Sequence, residues 1–216
     1  INGLKNFPKE IDKLFDGIVK EFKNFNTPQA TRKSSEAVLH FINNKMPLFG
    51  GSADLTGSNN TKGKQMDILN HKNYKGQYIH YGVREHGMAS IMNGIAATRL
   101  YKTYSGTFLS FADYMKPSLR LAALMKIDPI QVFTHDSIGL GEDGPTHQPI
   151  EQINMLRLIP NSYVFRPCDM METIACWMLA LKINNAPSFI CLSRQNLPQI
   201  SNKKVSLNNF KGAYVI

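Results

Sequence analysis

The chain has 216 residues, 43% of them hydrophobic and 19% charged, with a net charge of +9. That supports a well-buried globular domain, while no apolar run reaches the length of a membrane span and no signal-peptide pattern opens the chain. The lysines that carry the excess charge are scattered and do not alternate with aromatics, so a solvated surface or an acidic partner domain explains them and nucleic-acid binding is set aside.

Residues 9–25 place Ile11, Leu14, Phe15, Ile18, Val19, Phe22 and Phe25 on one face at helical spacing. This reads as a leader or linker helix over 1–26, packed on something. Asn26-Thr27-Pro28 ends it, with Thr27 as N-cap and Pro28 in the first turn of a second helix over 28–44. From there the elements alternate. A strand at Leu48-Phe49 leads to Gly50-Gly51 and a polar loop over 52–76, then a strand at Tyr78–Tyr81 runs into a helix from Arg84 to Arg99. A short strand near Thr103–Tyr104 precedes a helix over 109–125 that Pro117 is expected to interrupt and kink. Ile130–Phe133 is a strand, followed by a helix near 150–158, a strand at Tyr163–Phe165, a helix at 170–183 and a strand at Phe189–Leu192. Such alternation of helices with short apolar strands predicts an α/β domain over 27–200, a parallel sheet flanked by helices on both faces. A polar tail over 201–216 reads as the start of a linker. Cys168, Cys176 and Cys191 are widely spaced, odd in number and without a CxxC pair, which fits buried reduced thiols in a cytoplasmic protein. Because the first residue is Ile1 rather than Met, the chain is expected to be a piece of something longer.

Four polar motifs, GGSAD, GVREHG, THD and LSRQ, follow apolar strands at their C-terminal ends. In a parallel sheet those ends share one rim, where ligands bind, so Asp54, Glu85, His135 and Arg194 are expected to converge. Two nucleotide signatures fail on inspection. Gly139 to Gly144 fits GxGxxG, but Glu142 and Asp143 would face a pyrophosphate and Pro145 removes a backbone donor. Gly57 to Lys64 has one residue too many for a P-loop, and Gln65 stands where a Ser or Thr should hold magnesium. His135, Asp143 and His147 could ligate a divalent cation, which makes a metal-dependent hydrolase the rival reading. A glycine-rich turn bonding its own backbone is the bland one. Glu85 at a helix start could simply complement the helix dipole, yet it shares its neighbourhood with Tyr81 and His86 at the rim. The aromatic stripe Phe108, Phe111 and Tyr114 fits a core face as well as a pocket. Arg32 and Arg194 could be surface ion pairs or bidentate phosphate ligands.

Taken together, TRKSSEAVL (31–39), GGSADLTGSN (50–59), YGVREHGMASIMNGIAA (81–97), SGTFLSFADY (105–114), THDSIGLGEDGPTHQP (134–149) and LSRQNLPQ (192–199) resemble transketolase, in that family's order. The resemblance implies the domain that binds the pyrimidine end of thiamine diphosphate. It also implies roles. Glu85 matches the glutamate that hydrogen-bonds the aminopyrimidine ring and favours its imino tautomer, which deprotonates thiazolium C2. Phe108, Phe111 and Tyr114 match the aromatic pocket around that ring. Arg32, Ser58, His135 and Arg194 match residues that hold a sugar's phosphate. Asp143 matches a group that reads a substrate hydroxyl, His147 one at the donor's reacting oxygen, and Asp54 an acid near the thiazolium at a subunit interface. Dihydroxyacetone synthase shares most of these motifs, and other thiamine enzymes share the fold. The family's GDG…N motif for Mg2+ and diphosphate is absent, since neither DG pair, Asp16-Gly17 or Asp143-Gly144, follows a glycine. No metal ligand is therefore expected in this chain. The diphosphate and Mg2+ ligands are expected in a missing domain contributed by a second subunit of a homodimer, and the fragment is expected to be inactive alone.

Overall fold

The computed structural model describes residues 7–43 and 45–201, so the tail assigned to a linker lies outside them except for Ser201. Its helices are α1 (Phe7–Phe22), α2 (Thr31–Ile42), α3 (Thr56–Asn59), α4 (Glu85–Ala97), α5 (Ala112–Met125), α6 (Gln152–Arg157) and α7 (Met170–Lys182). Its strands are β1 (Leu48–Ser52), β2 (Tyr78–His80), β3 (Lys102–Phe108), β4 (Ile130–Thr134), β5 (Tyr163–Phe165) and β6 (Ser188–Leu192). Every pairing is parallel, in the order β2-β1-β3-β4-β6-β5.

Strand alternation sorts the core into two layers. Ile130 and Val132 of β4 and Ile190 and Leu192 of β6 pack with α1, α2 and α7, whereas Phe133, Phe189 and Cys191 pack with α4, α5 and α6. Helices thus cover both faces, as the alternation of elements predicts. Trp177 is fully buried, and its indole donates to Ser35 Oγ at 2.8 Å, tying α7 to α2. Truncating such a side chain costs about 3–5 kcal/mol. The amphipathic face of α1 also finds its cover here: Ile11, Phe15 and Ile18 are buried in the α2–α7 layer. Among the described residues no helix is long and apolar enough to cross a membrane.

The structure corrects four local expectations. Ala30, not Thr27, is the N-cap of α2. Gln29 pairs with Leu197 through two main-chain bonds, and Asn196 Oδ1 accepts from Ala30 N, so this stretch stays extended until the sheet's last loop releases it. α5 runs unbroken through Pro117. Pro117 and Asp113, whose carbonyl loses its partner, both lie on the exposed face, where water can serve that carbonyl. β3 extends to Phe108, because the small residues Ser105, Gly106 and Thr107 are buried strand rather than loop. Finally, the polar loop contains the short helix α3.

At the N-terminal end of the sheet, Lys102 opens β3 and is buried beside Asp128. Its ammonium donates to Asp128 and to the Ile183 carbonyl, while Arg99 donates to Asp128 Oδ1 at 3.0 Å and to the carbonyls of Asn184 and Lys126. Burial lowers the Lys102 pKa and Asp128 opposes that shift.

Candidate functional site

β1 connects on to β2 on one side while β3 connects on to β4 on the other, so the C-terminal ends of β1 and β3 are the switch point where an open parallel sheet forms its ligand crevice. Loops from five strand ends edge this rim. β1 delivers Asp54, β2 leads to Tyr81 and Glu85, β3 to Phe108 and Phe111, β4 to His135, and β6 to Arg194. Asp54 and His135, the residues just past β1 and β4, both have left-handed backbone, at φ 61° and 59°. Non-glycine residues hold that conformation at a cost, which turns the chain sharply away from each strand at the crevice.

One half of the rim is a connected cluster. His135 is 3% exposed and lies flat on Phe108, with centroids 3.7 Å apart and planes at 28°. Phe108 stacks on Phe111 at 5.8 Å, His147 meets both rings edge-on at 5.8 and 5.2 Å, and Tyr114 tilts against Phe111 at 6.1 Å. Tyr114 remains 64% exposed, so the aromatic stripe descends from core to solvent along the rim. The charged groups gather around the same histidine. Burial lowers the His135 pKa to about 4, helped by Arg32, Arg194 and His147 and opposed by Asp143. Burial and Arg194 likewise lower Arg32, against Asp143 and Glu36. At neutral pH His135 is an uncharged imidazole within electrostatic reach of two cations, Arg32 and Arg194.

Arg32 projects from α2 and donates through one terminal nitrogen to the Ser58 carbonyl at 2.5 Å, while its Nε is buried without a partner. Ser58 therefore enters through its main chain, orienting Arg32. Arg194 pairs with Glu142 Oε1 at 3.0 Å, a contact that its sequence context did not reveal. Glu142 is 84% exposed at its side chain, so this pair can open at little cost.

Asp54 and Glu85 occupy the neighbouring strand ends. Among the described residues neither makes a hydrogen bond, ion pair or ring contact with the His135 cluster, so the expected four-residue convergence takes the form of a shared rim with two parts. Asp54 is exposed. Glu85 opens α4 and is only 8% exposed, with no hydrogen-bond or ion-pair partner for its carboxylate among the described residues. Beside it in sequence, Tyr81 is buried with an unpartnered hydroxyl, and burial pushes its pKa up. Its ring occupies the space beside Gly51, where a Cβ would come within 2.3 Å. Among the described residues no group of three or more His, Cys, Asp or Glu could hold a metal ion, so His135, Asp143 and His147 do not form the cage that the hydrolase reading needs.

The sequence reading missed Asn59 and Thr134. Asn59 is fully buried on α3, accepts from Thr134 Oγ1 at 2.7 Å and donates to Ser52 Oγ at 3.3 Å, and Thr134 Oγ1 meets His135 Nδ1 at 2.9 Å. A lone Asn in a loop rich in Asn carries no signal of this kind.

Residues 27–199 match the family described as transketolase, pyrimidine binding domain. A transketolase of Cereibacter sphaeroides is 51% identical over 87% of this chain and 29% of its own length, and one of Sinorhizobium medicae is 48% identical over 98% of this chain and 32% of its own. The crystal structure of Pichia stipitis transketolase in complex with sedoheptulose-7-phosphate superposes with a TM-score of 0.82 at 48% identity, over 86% of this chain and 28% of that one. The chain thus spans about a third of the length of these curated relatives. Fold, motif order and these matches agree, and the chain belongs to the transketolase pyrimidine-binding domain family.

Proposed function

We propose that this chain supplies the pyrimidine-facing half of a thiamine-diphosphate site in an enzyme that transfers a two-carbon ketol unit from a ketose phosphate to an aldose phosphate. The observation that carries the reading is Glu85, a residue only 8% exposed at the rim whose carboxylate has no hydrogen-bond or ion-pair partner among the described residues. Such a carboxylate is open to a donor, and a ligand's ring nitrogen would provide one. Phe111 and Tyr114, partly exposed on a stacked base, offer the flat apolar contact an aminopyrimidine needs. These residues fit the cofactor. When bound, thiamine diphosphate supplies a carbon acid that becomes the nucleophile for ketol transfer. Glu85 would hold the proton that sets the ring's protonation state.

Arg32 and Arg194 form the anion end of the site. The unpartnered Arg32 Nε and the readily opened Arg194–Glu142 pair leave donors for a sugar phosphate dianion. Ser58 supports that end by holding Arg32, and His135 lies within the electrostatic reach of both arginines. To Asp143 we assign the reading of a substrate hydroxyl, and to His147, edge-on to the aromatic pair, contact with the reacting end. Asp54, exposed just past β1, we assign to the side of the site that a partner subunit would complete. The Mg2+ and diphosphate ligands we assign to a second subunit of a homodimer. Ile91 on α4 and Leu121 and Leu124 on α5 are about half exposed or more, which supports an apolar interface on that layer. A cytoplasmic setting accords with three free cysteines.

Adding a separate diphosphate-binding domain, thiamine diphosphate and Mg2+ to the chain and assaying ketol transfer tests the proposal. Transfer should appear only in the mixture. Activity of the chain alone, or none in a mixture whose partner domain is competent with its own pyrimidine domain, would overturn it.

A further inference from the structure

We infer that Asn59 and Thr134 are positioning residues that hold His135 in its Nδ1–H tautomer and present an unprotonated Nε2 to the crevice. One hydrogen-bond chain sets the ring's protonated nitrogen. Ser52 Oγ, at the end of β1, accepts the Leu55 amide and the Asn59 amide nitrogen. That turns the Asn59 oxygen toward β4, where it takes the single hydrogen of the Thr134 hydroxyl at 2.7 Å. Having given that hydrogen away, Thr134 Oγ1 can only accept from His135, so Nδ1 carries the proton across the 2.9 Å contact. Nε2 has no hydrogen-bond partner among the described residues.

The fold makes room for this chain. Asn59 reaches from the β1 side to β4 by passing over β3 at Gly106, where a Cβ would meet Thr61 Cγ2 at 2.7 Å and Asn59 Nδ2 at 3.3 Å. The ring itself is fixed by its stack on Phe108. A second proton on Nε2 is opposed by burial and by the groups that face the ring, Arg32 from α2, Arg194 after β6 and His147 from the β4 loop, with Asp143 alone favouring it.

The consequence for ligands rests on the proposed sugar-phosphate site, although the tautomer does not. A lone pair at Nε2 cannot donate to a phosphate dianion, so the arginines hold the charge and the group facing His135 must bring its own O–H. That hydrogen comes from a sugar hydroxyl or from a phosphate monoanion.

Long-range proton–nitrogen correlation spectra of this chain, with its histidines and arginines labelled in nitrogen-15, read the tautomer directly. At neutral pH, His135 should show a protonated Nδ1 and a lone-pair Nε2. Thr134→Val should move most of the population to Nε2–H, and Thr134→Ser should restore the original state. Asn59→Leu should give a mixture, whereas Asn59→Asp, which still accepts from Thr134, should not. Unchanged signals from the other histidines report an intact fold in each variant. A wild-type His135 protonated at Nε2 overturns the inference without any variant, and so does an unaltered tautomer in folded Thr134→Val. Inorganic phosphate, added on either side of its second ionisation, separates the ligand sources. A shift at Nε2 only on the acidic side assigns the O–H to phosphate. Shifts confined to the Arg32 and Arg194 side chains assign it to a sugar hydroxyl. No shift at any of them refutes the phosphate site while leaving the tautomer standing.

Discussion

At the N-terminal end of the sheet, Lys102, Arg99 and Asp128 bind one another and the carbonyls of Ile183, Asn184 and Lys126. At the opposite end, among the described residues, Arg32 has a buried Nε without a partner, Glu85 a carboxylate without one, and Arg194 an ion pair with an exposed glutamate. The residue types are alike, and what differs is saturation. Where the charges satisfy each other they stitch β3 to the turns beneath it. Where they do not, the fold tolerates unmade bonds whose natural completion is a ligand.

The sharpest way to break this contrast is to remove one charge from each end. Asp128→Ala strands Lys102 as a buried unpaired ammonium and should cost about 3–5 kcal/mol in urea unfolding. Arg194→Ala removes an exposed pair and should cost no more than about 1 kcal/mol, while weakening phosphate binding. Equal costs at the two ends would remove the distinction.

The His135 pKa provides an intermediate test. It lies near 4 in the folded chain, below an unfolded value of about 6.5. The unfolded chain therefore binds more protons between these values. Relative to His135→Gln, wild type should lose stability as pH falls through that window, with a slope approaching about 1.4 kcal/mol per pH unit, and show no such difference above it. A flat difference across the window would mean that His135 is not held neutral by its surroundings.

What the sequence reveals follows from how each feature is encoded. Apolar runs such as Ile130–Phe133 and Phe189–Leu192, each ending in a polar motif, announce both strand and rim, because burial and ligand contact demand opposite chemistry within a few residues. Ser105-Gly106-Thr107 hides its strand for the converse reason. Its polar atoms look like loop, yet Ser105 is bonded to Gln131, and Gly106 is small so that Asn59 can cross above it. α3 is too short to show a period. The left-handed backbone at Asp54 and His135 leaves no mark, since neither is glycine. The start of α2 is set by Leu197, far along the chain, which no local capping rule can see. Candidate site residues were visible by type. The relay through Thr134 and Asn59, and the Arg194–Glu142 pair, depend on tertiary distances alone.

In the proposed function, Glu85 is left unpartnered so that it can hold a cofactor proton. Glu85→Gln keeps the shape of the side chain and removes its acid–base capacity. In the enzyme completed with its diphosphate-binding domain, the variant should bind sugar phosphates as before, while turnover falls about 10²–10⁴-fold, the range expected for losing a general acid–base group. Turnover near that of the wild type would contradict the account.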